Sequence, residues 1–283
     1  MSNYTIKPMT REDLAVAIDW AAAEGWNPGL HDAACFYAAD PSGFLMGWLN
    51  DQPIAAISVV KYGPSFGFLG FYIVRPEFRG QGYGWQLWQT GLQTLVGRIV
   101  GLDGVVDQQS NYFKSGFQLA YRNIRYEGVG DGQPPSSSVD AIVPLSSLPI
   151  EQVIEYDRPF FPDDRATFLR CWLTQPDSVA VGILASTSLV GYGMLRPCRQ
   201  GFKIGPLFAD TLAIADALFQ HLKAQVPEGQ SFYLDVPEVN AAAVGLAQTY
   251  ALTSMFETAR MYLPTAPALP TARIFGVTTF ELG

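Results

Sequence analysis

The sequence has few of the residues that build metal centres, disulfide frameworks or nucleic-acid surfaces. Only three cysteines and two histidines occur in 283 residues, and the cysteines (Cys35, Cys171 and Cys198) lie far apart. Their spacing matches no zinc motif and no disulfide pattern, so we expect neither a metal site nor a structural disulfide. Acidic residues outnumber basic ones by 26 to 18, and the net charge of −8 argues against nucleic acid or an anionic membrane as a partner.

Long apolar runs are also missing. No segment approaches the roughly 20 consecutive apolar residues that span a bilayer, and the first residues lack the apolar core of a signal peptide. We therefore expect a cytoplasmic protein, either a monomer or a homodimer. Hydrophobic residues still make up 48% of the chain, which is enough for a sizeable buried core.

A segment rich in glycine, proline and serine interrupts the sequence at residues 128–138. Such a composition is typical of a linker. We therefore predict an N-terminal domain over residues 1–127 and a C-terminal domain over residues 139–283. Apolar runs and amphipathic stretches follow the same order on both sides of the linker, which favours two copies of one α+β unit over a single large fold.

A glycine-rich turn in the first half carries the clearest chemical signal. An apolar strand predicted over residues 66–74 ends before Pro76, and an amphipathic helix is predicted over residues 84–96. Between them stand Gly80, Gly82 and Gly84. Glycines let the backbone approach a ligand, and the start of a helix presents unpaired N–H groups, so this turn suits a phosphate or pyrophosphate.

The spacing of the turn separates it from other phosphate-binding motifs. It lacks the Gly-Lys-Ser/Thr of a P-loop, and its G-x-G-x-G spacing differs from the dinucleotide-binding G-x-G-x-x-G. Arg79-x-x-Gly82-x-Gly84 instead resembles the Arg/Gln-x-x-Gly-x-Gly/Ala signature of the GNAT superfamily of acyltransferases. The resemblance covers nearly the whole chain, is strongest in residues 1–126, and extends to the branch with a divergent second GNAT-like domain.

The resemblance implies a mixed α/β (α+β) fold. Each of the tandem GNAT-like domains would have a mostly antiparallel sheet with a splayed parallel pair, flanked by helices. In that family the glycine turn binds the pyrophosphate of acetyl-CoA, so acetyl-CoA or coenzyme A is implied as co-substrate, and a strand amide near Phe71–Ile73 would polarise the thioester carbonyl. The donor-binding residues predicted in this way are Phe71, Tyr72, Ile73, Val74, Arg79, Gly80, Gln81, Gly82, Tyr83, Gly84, Asn111 and Lys114.

A tyrosine in the first half matches a second motif of the family. Asn111-Tyr-Phe-Lys-Ser-Gly-Phe117 resembles a helix in which a tyrosine stands four residues before Gly-Phe. Family members often use that tyrosine to protonate the departing CoA thiolate, and Tyr112 takes its place. A phenol, with a pKa of about 10, suits a leaving group that needs a proton only as charge develops. The alternative is a buried structural tyrosine.

The proton acceptor and the acceptor-binding residues are marked less clearly. Glu24 lies in a loop rich in Gly and Pro, and Asp103 lies inside an apolar strand, where a carboxylate is costly unless it is paired. Both are candidate catalytic bases, with a water chain or a purely structural role as alternatives. The candidate substrate-binding residues, each with an alternative as a cap, turn or surface residue, are Trp26, Asn27, His31, Asp32, Asp235 and Glu238.

The second half departs from the signature. At the matching place it has Ile204-Gly-Pro-Leu-Phe-Ala-Asp210, with one glycine and an acid that would repel a pyrophosphate. We expect this half to shape the acceptor pocket or to stabilise the first domain. The leading hypothesis is an N-acetyltransferase that transfers an acyl group from acetyl-CoA directly to the amine of a small acceptor. The alternatives are a non-catalytic acyl-CoA-binding sensor or scaffold, and a protein N-acetyltransferase.

Overall fold

The computed structural model describes residues 3–134 and 142–283, which form 13 strands and eight α-helices. The strands are β1 (Tyr4–Pro8), β2 (Phe44–Leu49), β3 (Gln52–Tyr62), β4 (Phe66–Val74), β5 (Ile99–Val105), β6 (Gln118–Val129), β7 (Ile142–Pro144), β8 (Val179–Ala185), β9 (Ser188–Pro197), β10 (Phe202–Ala209), β11 (Ser231–Pro237), β12 (Thr253–Leu263) and β13 (Ile274–Gly276). The helices are α1 (Arg11–Ala23), α2 (Asp32–Ala39), α3 (Tyr83–Thr94), α4 (Gln109–Lys114), α5 (Ile150–Asp157), α6 (Ala166–Trp172), α7 (Leu212–Lys223) and α8 (Ala241–Thr249). None of the helices in these ranges is long and apolar enough to cross a membrane.

Local sequence signals explain where several helices begin. Thr10 and Asp13 form a reciprocal cap at the start of α1: the Asp13 amide donates to the Thr10 hydroxyl at 3.2 Å, and the Thr10 amide donates to the Asp13 carboxylate at 2.9 Å. Thr211 and Asn240 cap α7 and α8 with their side-chain oxygens. The sequence analysis assigned no element to α2. The Gly- and Pro-rich loop ends at its first residue, where the Asp32 carboxylate accepts from the Gly29 amide.

One continuous sheet joins the two halves of the chain. Its order is β1-β2-β3-β4-β5-β12-β6-β11-β10-β9-β8-β7, with β13 paired to β10. Strand β12 of the second half lies beside β5 of the first, and β6 of the first half lies beside β11 of the second. The halves have therefore exchanged their last long strands, and β6 and β12 pair antiparallel at the centre.

This exchange bears on the domain division predicted from the linker. Strand β6 continues to Val129, so the first two residues of the segment 128–138 belong to the central sheet. Residues 135–138 of that segment lie outside the described residues. The division at 127 and 139 stays a prediction about sequence units, because the strands on either side of it are shared between the halves.

Helices cover both faces of the first half of the sheet. Ala56 and Val60 of β3 pack with α1 and α2 in one buried cluster, whereas Ile57 and Val59 pack with α3 in another. Side chains of a strand alternate between faces, so these two clusters lie on opposite sides of the sheet. The α7 helix covers the second half in the same manner as α3 covers the first, packing on β9 and β10.

In each half, the two parallel strands pair at only one end. Strand β4 pairs with β5 from Phe66 to Leu69, and β10 pairs with β11 from Phe202 to Ile204. Beyond these points the strands of each pair diverge. Most of the other pairings are antiparallel, so the predicted fold class, with a splayed parallel pair in each half, is confirmed.

The splay of the second half is closed by the chain itself. Strand β13 pairs with β10 at Leu207 and Phe208, and the Val277 amide that follows it donates to the Asp235 carbonyl of β11 at 2.8 Å. The segment around residues 274–277 therefore fills the gap between β10 and β11. The corresponding gap in the first half is open.

Candidate functional site

A cavity of about 700 Å³ opens where β4 and β5 separate. Its walls include the strand ends, the glycine turn, the start of α3 and residues of β6 and β12. The predicted site residues that line it are Glu24, Trp26, Phe71, Tyr72, Ile73, Val74, Arg79, Gly80, Gly82, Gly84, Asp103 and Tyr112. Those that do not line it are Asn27, His31, Asp32, Gln81, Tyr83, Asn111, Lys114, Asp235 and Glu238.

A bulge in β4 shapes the middle of the cavity. Strand β3 pairs Ala56 with Ile73 and Ser58 with Gly70, so two residues of β4 lie opposite one residue of β3. Phe71 in this bulge has φ of +46°, a left-handed conformation that is rare for a bulky side chain. Such strain is typical of functional sites. Strand β5 no longer pairs here, so this edge of β4 is available to a ligand.

The glycine turn forms one mouth of the cavity. Gly80 and Gly82 have φ of +75° and +85°, and Gly82 is the residue at which α3 begins. A Cβ on either glycine would meet nothing within 4 Å, whereas a Cβ on Gly84 would lie 2.7 Å from Val74 and 2.8 Å from the Tyr72 hydroxyl. The first two glycines therefore allow the turn and keep the space above it open, and the third lets α3 approach β4.

Arg79 points back across the turn. Its Nε donates to the Val74 carbonyl at 2.7 Å, and its Nη2 forms an ion pair with the Glu24 carboxylate. The pair is partly exposed, with 49% and 33% of the two side chains accessible. The carboxylate of Glu24, a candidate base, is thus paired with the guanidinium of Arg79, the residue predicted to bind phosphate.

The other predicted donor-binding residues, around the turn and on α4, form hydrogen bonds with neighbouring residues of the protein. The Gln81 side chain donates to the Glu77 carbonyl at 3.0 Å, and the Tyr83 carbonyl accepts from the Tyr4 hydroxyl at 3.2 Å. Asn111 donates to Gln108 at 2.8 Å and accepts from Lys114 at 3.4 Å. A donor molecule would reach these four side chains only from outside the cavity.

Tyr112 lies on the opposite wall, against β5. A Cβ on Gly104 would lie 2.2 Å from the Tyr112 ring, so the glycine makes room for the phenol. The ring stacks on Trp88 with the centroids 5.5 Å apart. Burial raises the pKa of Tyr112, which keeps the phenol protonated and able to donate.

Asp103 faces the cavity wall from β5 but is fully engaged by neighbouring strands. Arg260 of β12 contacts it with both Nε, at 2.9 Å, and Nη2, at 2.5 Å, and the Asn123 amide adds a donor at 2.8 Å. The carboxylate is fully buried. Burial raises the pKa of Asp103 although Arg260 and Asn123 act to lower it, but its oxygens are already occupied by these two partners, and its visible role is to join β5 to the exchanged strand.

The remaining predicted acceptor residues, apart from Trp26, stabilise the contact between the halves. Asp32 is buried and forms an ion pair with Arg196 at 2.9 Å, and Asp235 forms a two-point ion pair with Arg125 at 2.7 Å. Burial acts to raise the pKa of Asp235, but Arg125 and the neighbouring cations bring it below its usual value. The carboxylate of Asp235 is therefore committed to Arg125, which itself lines the cavity.

The last three of these predicted residues lie nearer the surface. The Asn27 side chain forms two hydrogen bonds with the backbone of Gln200. Its nitrogen donates to the Gln200 carbonyl at 3.0 Å, and its oxygen accepts from the Gln200 amide at 2.9 Å. His31 lies 3.6 Å from the Asp177 carboxylate, and Glu238 accepts from the Arg122 amide at 2.9 Å. Each makes a contact that needs no substrate, which is the alternative that the sequence left open for them.

One part of the cavity is lined by residues that sequence reasoning missed. They are Arg125 of β6, Phe256 and Thr258 of β12, and Phe280 and Glu281 of the final segment. Together with Trp26 they form a wall of three aromatic and three polar side chains, a combination found in small-molecule sites. No motif marks them, and they come from three distant parts of the chain.

Comparisons with known proteins agree with this geometry. The model of the acetyltransferase (GNAT) family matches residues 12–117, and that of an acetyltransferase (GNAT) domain matches residues 153–276. The holothin acyltransferase of Pseudoalteromonas sp. (strain SANK 73390) is 32% identical over 280 residues, which cover 99% of this chain and 95% of that protein.

Solved structures share the fold over nearly the whole chain. A candidate acetyltransferase from Pyrococcus horikoshii superposes with a TM-score of 0.82 at 22% identity, covering 99% of this chain and 96% of that one. A tandem GNAT protein from the clavulanic acid biosynthesis pathway superposes with a TM-score of 0.63 at 13% identity, covering 94% and 100%.

The splayed strand pair and the glycine turn at a helix start are the features that the resemblance to the GNAT acyltransferases implied. The chain belongs to the GNAT family and has two GNAT domains, and it is an acyltransferase. The resemblance drawn from Arg79-x-x-Gly82-x-Gly84 is thereby confirmed.

Proposed function

We propose that this acyltransferase transfers an acetyl or related acyl group from acyl-CoA directly to the amine of a small acceptor. The observation that carries the proposal is the continuous cavity between β4 and β5. Its lining includes the glycine turn, the bulge, Tyr112 and a group of aromatic and polar residues to which both halves of the chain contribute.

The residues of the turn suit the pyrophosphate of a CoA donor. Gly82, Gly84 and Trp85, at the start of α3, line the cavity, and the partial positive charge of a helix start favours an anion there. The open space above Gly80 and Gly82 leaves room for the phosphates. Phe71, Tyr72, Ile73 and Val74 would lie along the donor, and the donor's thioester supplies the activated acyl group.

Direct transfer fits the residues that line the cavity. No cysteine or serine is among the lining residues in the described parts of the chain, so a thiol or serine nucleophile is not provided there. Cys35 and Cys198 are buried elsewhere, and burial raises the pKa of both thiols. Tyr112 would donate its proton to the departing sulfur, while amides of the bulge would polarise the thioester carbonyl.

A small acceptor fits the enclosure of the far end. Residues from β6, β12 and the final segment close this end, where a protein substrate would need a long open groove. The relative that is 32% identical is named a holothin acyltransferase, so holothin is the first acceptor to test.

The test is acyl-CoA turnover, followed as release of free thiol, across holothin, small primary amines and peptides with free N-termini. Thiol release with a small amine supports the proposal. Release with peptides alone would favour a protein N-acetyltransferase. CoA binding without turnover on any amine would favour a sensor, and no CoA binding would refute the donor assignment.

The Gly82→Trp variant tests the glycine turn. The indole would occupy the open space above the turn and strain a residue at positive φ. Hydrogen bonds to charged groups contribute about 1.5–3 kcal/mol each, so losing one or more should weaken acyl-CoA binding about 10- to 100-fold or beyond. Titration calorimetry measures it, and Gly229→Trp is the matched control, with φ of +78° and equally open space far from the cavity. Unchanged affinity in Gly82→Trp would contradict the assignment.

The Glu24→Gln variant should bind CoA more tightly. Arg79 must leave Glu24 to contact a phosphate, and a partly exposed ion pair contributes about 0.2–1 kcal/mol. Removing the competing carboxylate should therefore lower the dissociation constant of CoA by up to about fivefold. Calorimetry against the control Glu151→Gln, which loses an exposed pair with Arg170, checks the effect. Weaker binding would mean that Glu24 itself contacts the donor.

A further inference from the structure

We infer that Glu281, which the final segment of the chain carries into the cavity, is the group that takes the proton from the attacking amine. This inference rests on the proposed function and adds the base that the sequence left open. It is drawn from the path of residues 274–283, from the contacts of Glu281 and from the state of the other carboxylates in the cavity.

The final segment begins by closing the second half. After β13, the carbonyl oxygens of Val277 and Thr278 lie 2.6 and 2.9 Å from where Gly205 would carry a Cβ. Gly205 stands at the register shift of β10, the counterpart of the bulge in β4. This part of the segment therefore packs against β10, the irregular strand of the second half.

The same segment then reaches the bulge of the first half. The Glu281 carbonyl oxygen lies 2.2 Å from where Gly70 would carry a Cβ, and the Leu282 carbonyl accepts from the Tyr62 hydroxyl at 3.2 Å. Only a glycine at position 70 allows the backbone of Glu281 to lie this close to the bulge. Glu281 lines the cavity beside the strand edge proposed to hold the thioester carbonyl.

Of the four carboxylates that line the cavity, Glu281 is the one left for proton uptake. Glu24 is paired with Arg79 and Asp103 with Arg260, whereas Asp107 is exposed and adjoins the helix that carries Tyr112. Glu281 is only 4% exposed and accepts a hydrogen bond from the Thr279 hydroxyl. Within the described residues it has no cation within 4.0 Å.

Charged groups from three strands surround this carboxylate at longer range. Arg125 of β6 and Lys203 of β10 act electrostatically on Glu281, and Asp235 of β11 balances Arg125. Burial, with help from Arg125, lowers the pKa of Lys203 to about 8. The site is thus polar enough to hold a carboxylate but leaves it free of a direct ion pair.

The step balances in protons and bonds. The amine nitrogen forms the new C–N bond, the C–S bond breaks, and the proton leaving nitrogen goes to the Glu281 carboxylate. The sulfur receives the proton of Tyr112. Since the amine loses one proton and the thiolate gains one, Glu281 and Tyr112 return to their starting states by passing one proton between them through water.

The Glu281→Gln variant tests this role in the full-length protein. It keeps the size of the side chain but removes the base, so kcat for amine acylation should fall about 10²- to 10⁴-fold. The KM for acyl-CoA and the melting temperature should stay close to those of the wild type. Glu257→Gln is the matched control, since Glu257 lies on β12 between Phe256 and Thr258 and pairs with exposed Arg122 instead of facing the cavity.

Chemical rescue separates a base from a structural carboxylate. In Glu281→Ala, added formate or acetate should enter the space left beside the cavity and restore part of the rate in proportion to its concentration. Normal kcat in Glu281→Gln, or a loss that neither anion restores in Glu281→Ala, would overturn the inference. Failure of the wild-type protein to release thiol with any amine would instead refute the proposed function itself.

Discussion

The Asp103→Ala variant should lose about 3–5 kcal/mol of folding stability, because it leaves the Arg260 guanidinium buried without its ion-pair partner. For a chain of 283 residues this corresponds to a lowering of the melting temperature on the order of 10 °C. Thermal and urea unfolding, followed by circular dichroism, would measure the loss.

A double variant provides the control for this result. Replacing Asp103 with Leu and Arg260 with Met together removes both charges, and apolar replacement of a buried pair is often close to neutral. The double variant should therefore recover most of the stability that Asp103→Ala loses. An Asp103→Ala protein that melts normally but has no turnover would instead restore the catalytic role that the sequence suggested for this residue.

The Tyr112→Phe variant should lower kcat by about 10²-fold while acyl-CoA affinity stays near that of the wild type. General acid catalysis contributes about 10²- to 10⁴-fold, and a thiolate leaving group, with a thiol pKa of about 8.5, needs the least help. Stopped-flow or steady-state thiol release would measure it. Tyr126→Phe, at another buried tyrosine that does not line the cavity, is the control.

The pH dependence follows from the same group. Because burial raises the pKa of Tyr112 above its usual value of about 10, the phenol stays protonated throughout an assay between pH 6 and about 10. An acid that is protonated below its pKa loses activity only as the pH rises through it, so Tyr112 should produce no alkaline decline in that range. A wild-type kcat in Tyr112→Phe would remove the tyrosine from the mechanism.

Much of the first half could be predicted because its signals are local. The predicted strand over residues 66–74 coincides with β4, and the helix predicted over residues 84–96 overlaps α3, which runs from Tyr83 to Thr94. The glycine turn is also local, since positive φ at Gly80 and Gly82 and the start of α3 depend on neighbouring residues. Such features follow from backbone geometry and do not need the rest of the fold.

The part of the cavity lined by β6, β12 and the final segment could not be predicted because its contacts are remote in sequence. The sequence marked Asp103 as a candidate base because a buried carboxylate in an apolar strand is costly. Nothing in the sequence shows that Arg260, 157 residues away, pairs with Asp103 and offsets that cost. The exchange of β6 and β12 was missed for the same reason, because the pairings that show it join residues far apart in the sequence. Glu281 was missed because residues 264–283 carry no motif and take their meaning only from where they pack.

The traded strands also bear on how such a chain can change over time. The second half has no open gap between its parallel strands, yet it supplies a strand to the sheet of the first half and part of the wall of the cavity. Neither half could be lost without removing a strand from the sheet of the other half. Two copies that were redundant after a duplication would in this way come to depend on each other. One copy would keep the donor site, and the other would shape the part of the cavity that selects the acceptor.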